Sequence, residues 1–202
     1  MKVSKSAATL GRPREFDSEE ALEKAMRLFW RKGYEGTTYA DLTAAIGITK
    51  PSLYATFGNK EQLFRKVLAK YGEGQPTANQ AALELPTAFE VVQAILYGVA
   101  RSQTDERHPG CLVVQGVLVC NEENQMLHKE LSGLRVGGRI ALTERLKRAQ
   151  AEGDLAADAS PENLARYLNA VISGMAIEAI DGASYEDLCE VVALVLKSWP
   201  RV

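Results

Sequence analysis

Aromatic residues fill only 7% of the 202 positions, while alanine and leucine abound, which disfavours a sandwich or barrel and favours helices. No apolar run approaches the roughly 18 residues of a membrane span. The opening stretch, MKVSKSAATLGRPREF, has no apolar centre, so no secretory signal is expected. Cysteine is scarce. Three of them, an odd number without paired spacing, argue against a disulfide framework and suit a reducing cytoplasm. There is no phosphate loop, no carboxylate pair at glycosidase-like spacing and no nucleophile motif. His108, Cys111, Cys120 and His128 are separated by three, nine and eight residues, which matches no common zinc site. Neither a metal nor another cofactor is called for.

The near-neutral total of −2 hides an asymmetry. Residues 1–70 carry 13 Lys and Arg against 8 Asp and Glu, whereas residues 71–202 carry 11 against 18. A basic first third on an acidic body suits a polyanion-binding module joined to a part that stays off the polyanion.

Periodicity and caps predict an all-α chain. Asp17 and Glu20 read as a capping box before a stripe of Leu22, Ala25 and Phe29, and Gly33 closes this first helix. Thr38 with Asp41 opens a short helix, Ile46-Gly47-Ile48 makes a turn, and Thr49 with Pro51 starts a third helix. Asn59 with Gln62 caps a fourth. Residues 72–86, with glycines and two prolines, read as a junction. Beyond it, helices are expected near 87–106, 109–121, 125–152, 161–181 and 184–199, although Cys111–Cys120 is rich in strand formers.

A short helix, a glycine-centred turn and a second short helix, packed on a longer first one, form a helix-turn-helix near 38–57. Thr49, Lys50, Ser52 and Tyr54 stand on the second helix, while Leu53 is placed to pack inward. Lys50 can donate to guanine acceptors or to phosphate, the two hydroxyls can bond bases, and Tyr54 can bond phosphate with its ring on sugar. Thr38 and Lys60 mark helix N-termini, whose free N–H groups attract phosphate.

The segment LFWRKGYEGTTYADLTAAIGITKPSLYATFGNKEQLF (Leu28–Phe64) resembles the DNA-binding domain of TetR-family regulators over about fifty residues. That resemblance implies DNA contacts by Thr38, Tyr39, Thr49, Lys50, Ser52, Tyr54 and Lys60. Thr43 departs from the frequent alanine, which is tolerable because its hydroxyl can bond a carbonyl one turn back. Ala55 and Thr56 replace larger residues of relatives, so a phosphate contact from that turn is not implied. Upstream, Arg12 and Arg14 belong either to a solubilising tail or to an arm entering the minor groove, as a similar Gly-Arg-Pro-Arg in relatives suggests.

The resemblance further implies that the body binds a small molecule between its helices and forms a homodimer through its last two. Leu164, Leu168, Val171, Ile172 and Met175 form one apolar stripe and Leu188, Val192, Val195 and Trp199 another, which serve either that dimer or the intrachain core. Tyr97, Cys111, Gln115, Met126, Tyr167, Asn169 and Met175 offer apolar walls and polar anchors for an effector. Cys111 follows His-Pro-Gly. It is either an inert core thiol or, as in relatives with a similar Gly-Cys-Leu segment, a sensor of electrophiles or oxidants.

The reading is a two-part regulator, most simply a repressor. Residues 1–71 form a three- to four-helix DNA-binding domain, and residues 72–202 a helical bundle that binds effector and dimerises. Its partners are a palindromic double-stranded operator, a small-molecule effector and a second copy, with no membrane. A cofactor-free enzyme using Cys111, or a protein-binding scaffold, explains neither the charge split nor the N-terminal motif.

Overall fold

The computed structural model describes residues 17–73, 80–116 and 121–200, which are helical with no strand among them. Besides a helical turn at 80–83, the helices in chain order are α1 (Ser18–Lys32), α2 (Tyr39–Ile46), α3 (Lys50–Phe57), α4 (Lys60–Gly72), α5 (Ala88–Gln103), α6 (Leu112–Gln115), α7 (Gln125–Ala151), α8 (Pro161–Ile180) and α9 (Tyr185–Lys197), with a 3-10 turn at Glu122–Asn124.

Local chemistry sets most of these ends. Capping boxes close on Thr38 with Asp41, Asn59 with Gln62, Thr87 with Glu90 and Ser184 with Asp187. At α1 only half of the expected box is present: Asp17 accepts from the amides of Glu19 and Glu20, while the Glu20 carboxylate pairs with Lys24 at 2.8 Å. Thr43 bonds back to the carbonyl of Tyr39 at 3.0 Å, the satisfaction expected of a hydroxyl inside a helix. Of the β-rich stretch after Gly110, the described residues 111–116 form the single turn α6, and residues 117–120 lie outside the described residues.

Two hydrophobic cores result. One joins α5, α7, α8 and α9 through Val91, Leu96, Leu146, Leu168 and Val192, all nearly inaccessible. The other packs α1 to α4 around Phe29, Leu42, Leu53, Leu63 and Phe64, and also takes in Leu112, Leu127 and Leu131. Thus α7, about 40 Å long at 1.5 Å per residue, starts in one core and ends in the other. Polar contacts reinforce this joint. The Trp30 indole donates to the Pro109 carbonyl at 2.6 Å, and the Tyr34 amide to the Gly116 carbonyl at 3.0 Å. Arg65 makes a two-pronged bond to Glu130 at 2.9 and 2.7 Å. Glu35 accepts from the Asn121 amide and the Asn124 side chain, donors that hold its carboxyl below the usual range. Gly110 (φ +85°) sits where a Cβ would meet an Ile180 side-chain carbon at 2.8 Å, so the loop closes on α8 only without a side chain.

The stripes read as dimer or core belong to the core. Leu168, Met175, Leu188, Val192, Val195 and Trp199 are buried within the chain, and Leu164, Val171 and Ile172 pack against them. A different face is left uncovered: Tyr167, Ile177 and Ile180 on α8 and Leu194 on α9 are exposed, the last at 68%. Apart from its chain neighbours and the helix's own backbone, nothing lies within 4 Å of a Cβ placed on Gly174, between Tyr167 and Ile177 on that helix.

Candidate nucleic-acid interface

The turn between α2 and α3 is built around a glycine that reaches the left-handed conformation without steric cost. Gly47 takes the left-handed conformation (φ +83°, ψ 32°), and its amide and that of Ile48 both return to the Thr43 carbonyl, at 2.9 and 3.2 Å. Ile46 is buried and Ile48 half-buried against the N-terminal core, which fixes the angle between the helices. On α3, Leu53 and Phe57 lie four residues apart and are buried, so the opposite face is forced outward. Lys50, Ser52, Tyr54, Ala55 and Thr56 are exposed on it, and so is the capping residue Thr49.

The expected contact residues form one connected surface, except that Arg12 and Arg14 lie outside the described residues. The Tyr39 and Tyr54 rings stack at 5.3 Å with an interplanar angle of 24°. The Lys50 ammonium sits 5.0 Å from the first ring centroid and 5.9 Å from the second. The Tyr54 hydroxyl is pushed above its ordinary pKa, first by its hydrogen bond to Tyr39. Thr49 and Ser52 are partly engaged with each other: their hydroxyls lie 2.9 Å apart, and Thr49 accepts from the Ser52 amide. Thr38 faces solvent at the α2 N-terminus. Asp41 closes its box there, and the Lys32 ammonium at 2.7 Å helps hold that carboxyl down at about 2.

Lys60 is placed differently from the other basic residue of the set. Its ammonium donates to the carbonyls of Tyr34 and Thr37, both at 3.0 Å, and lies 4.3 Å from the Tyr34 ring centroid. Its backbone amide donates to the Tyr39 hydroxyl at 3.1 Å. Sequence reasoning missed Tyr34 and Thr37 as parts of this site. Their partner is 26 and 23 residues away, and no local pattern announces such a pairing.

The residues expected to line an effector site differ in burial. Met126 is 63% exposed and Tyr167 45% exposed, so both are corrected to surface positions, and Met175 is packed in the body core. They were chosen for mixed polarity, whereas position on the helix faces decides exposure. Tyr97, Cys111, Gln115 and Asn169 are half-buried. An apolar notch between α5, α7 and α8, lined by Val92, Ile95, Leu96, Leu142, Leu168 and Ile172, contains none of the seven and is too tight for a water.

A helix-turn-helix presenting a polar second helix, mounted on a helical body, defines the class of DNA-binding regulators. Similarity to known proteins agrees. Residues 21–67 match the family of bacterial regulatory proteins, tetR family. The HTH-type transcriptional repressor ComR of Escherichia coli is 34% identical over 95% of this chain and 93% of its own length. A second Escherichia coli protein, the HTH-type transcriptional repressor BdcR, is 29% identical over 96% of this chain and 94% of its own. Among solved structures, a cysteine mutant of the TetR family transcriptional regulator CifR, complexed with a 26-base-pair operator DNA, is 40% identical. It covers 94% of this chain and all of that one, with a TM-score of 0.85. The chain belongs to the TetR family of transcriptional regulators.

Proposed function

We propose that this protein is a homodimeric repressor that binds a two-fold symmetric operator through α3 and is released by a small molecule bound in its body. The observation that carries the DNA-binding half is the surface of exposed Thr38, Thr49, Lys50, Ser52 and Tyr54, ordered around the stack of Tyr54 on half-buried Tyr39. Lys50 supplies a base or phosphate donor, the hydroxyls reach bases or backbone, and the stacked phenols suit phosphate and sugar. Arg12 and Arg14 serve as a minor-groove arm. Repression is the activity named for the curated relatives ComR and BdcR, and the CifR structure holds operator DNA. A regulator of this kind works in the cytoplasm, where the chromosome is, and needs no catalytic chemistry.

Residues 1–71 read DNA and residues 72–202 form the regulatory body, with α6 and the start of α7 as the joint between them. The second copy covers the uncovered face of α8 and α9 around Ile177, Ile180 and Leu194. Effector binding in the body biases the spacing of the two α3 helices through α7, which is rooted in both cores. Titration of the full-length protein against a duplex selected from random DNA, at rising salt, tests this reading. Binding by two chains with a steep salt dependence is expected. A protein that selects no duplex has another role.

A further inference from the structure

Resting on the DNA-binding reading above, we propose that Lys60 is a positioning residue for the recognition helix rather than one of its phosphate contacts. A lysine at the N-terminus of a helix, beside a DNA-facing surface, invites the opposite assignment. The contacts of this side chain argue against it. Two of the three donors of its ammonium are placed on the Tyr34 and Thr37 carbonyls at 3.0 Å, and the charge lies 4.3 Å from the Tyr34 ring centroid. Tyr34 and Thr37 are 4% and 1% exposed. Turning Lys60 outward would therefore strip a charge-assisted donor from two carbonyls with little access to water, and would uncover the ring as well. Among the described residues Lys50 has no such attachment: it is exposed, with the faces of two tyrosines beneath it.

What Lys60 holds leads directly to α3. Its side chain fixes the chain between the end of α1 and the start of α2, immediately before the Thr38 cap. Its backbone amide fixes the Tyr39 hydroxyl, and the Tyr39 ring carries Tyr54 of the recognition helix. One residue thus ties α1, α2 and α4 to the aromatic platform under Lys50.

The salt dependence of binding separates positioning from phosphate contact. A duplex selected by the wild-type protein from random-sequence DNA, and a scrambled duplex of the same length, are titrated with wild type, Lys60→Met and Lys60→Gln at several salt concentrations. For Lys60→Met, affinity for the selected duplex should fall by about tenfold, with a smaller loss on the scrambled duplex and an unchanged slope of log affinity against log salt. Lys60→Gln, which keeps a neutral donor for one carbonyl, should recover part of the loss, again without change of slope. In the free protein, amide exchange at Thr37 and Thr38 should quicken in Lys60→Met, because the tie is present without DNA. A slope shallower by about 0.9 per phosphate, roughly two per dimer, in both variants would make Lys60 a phosphate ligand and overturn the proposal. Unchanged affinity of the folded variants, whatever their melting temperature, would overturn it too, by reducing Lys60 to a stabilising contact. If the wild type selects no duplex, the DNA-binding reading itself fails, which is a distinguishable result.

Discussion

Tyr39, the first residue of α2, lies flat against Tyr54 in the middle of α3, with ring centroids 5.3 Å apart. The two helices of the motif are therefore joined on their outer face by aromatic contact, while Leu42, Ile46 and Leu53 join them on the inner face. A pair of this kind contributes about 0.5–1.5 kcal/mol beyond the area it covers.

Because the stack lies under Lys50, the three residues should act together on DNA. Lys50→Ala and Tyr54→Ala are each expected to weaken operator binding by about 1–3 kcal/mol, with helicity and dimerisation kept. In a double-mutant cycle the losses should fall short of additivity, since Tyr54→Ala already removes part of what orders Lys50. Strict additivity would mean that the stack does not order the lysine.

Leu127 and Leu131 belong to the body by sequence but are buried in the core of the first four helices. Leu127→Ala should cost about 2–5 kcal/mol and loosen the DNA-binding half along with the rest. A fragment of residues 1–71 lacks both leucines and Leu112, so circular dichroism should find it far less cooperative on heating than the full chain. A sharp, independent transition of that fragment would contradict the shared core.

His108 supplies a pH dependence. Its side chain is 13% exposed against Trp30, with Nε2 3.5 Å from Glu23. Burial lowers its pKa, reinforced by Arg27 and Arg107 and opposed by Glu23 and Asp105. The unfolded chain accepts that proton near the ordinary pH of about 6.5, and the folded chain only lower. Above this pH the imidazole is neutral in both states. As pH falls through it, the unfolded state binds more protons and stability declines. Melting temperature should thus drop between pH 7 and 5.5 more steeply in wild type than in His108→Gln, and parallel curves would remove His108 from the account.

The exposed face of α8 and α9 predicts the assembly. Leu194→Glu and Ile177→Glu touch no buried position, so each monomer should keep its helicity while sedimentation shifts from two chains toward one. Substituted proteins that remain dimers would place the second copy elsewhere.

Cys111 is half-buried at the joint, with its sulfur 3.4 Å from the Tyr71 hydroxyl of α4. Alkylating it would add bulk where the two halves meet, and packed interiors absorb bulk poorly. An electrophile should release wild type from operator DNA and leave Cys111→Ser bound; release that follows Cys189 instead would exclude this thiol as a sensor.

The architecture was legible in the sequence where the signal is local. The caps at Thr38, Thr49 and Asn59 and the turn at Gly47 fix helix ends within four residues of themselves, and they read correctly. What stayed hidden depends on contacts distant in sequence. An apolar stripe such as Leu188, Val192 and Val195 does not say whether its partner lies in the same chain or in another, and here it lies in the same chain. The polar partners of Lys60 stayed hidden in the same way, since they come from a different helix end.

Selection of duplexes from random-sequence DNA by the full-length protein tests the central claim most directly. The enriched site should be two-fold symmetric, with half-sites one helical turn or a multiple of it apart, about 34 Å per turn, and it should be bound poorly by Lys50→Ala. No enrichment, or an enriched site that Lys50→Ala and Tyr54→Ala bind as well as wild type does, would contradict recognition of an operator by α3.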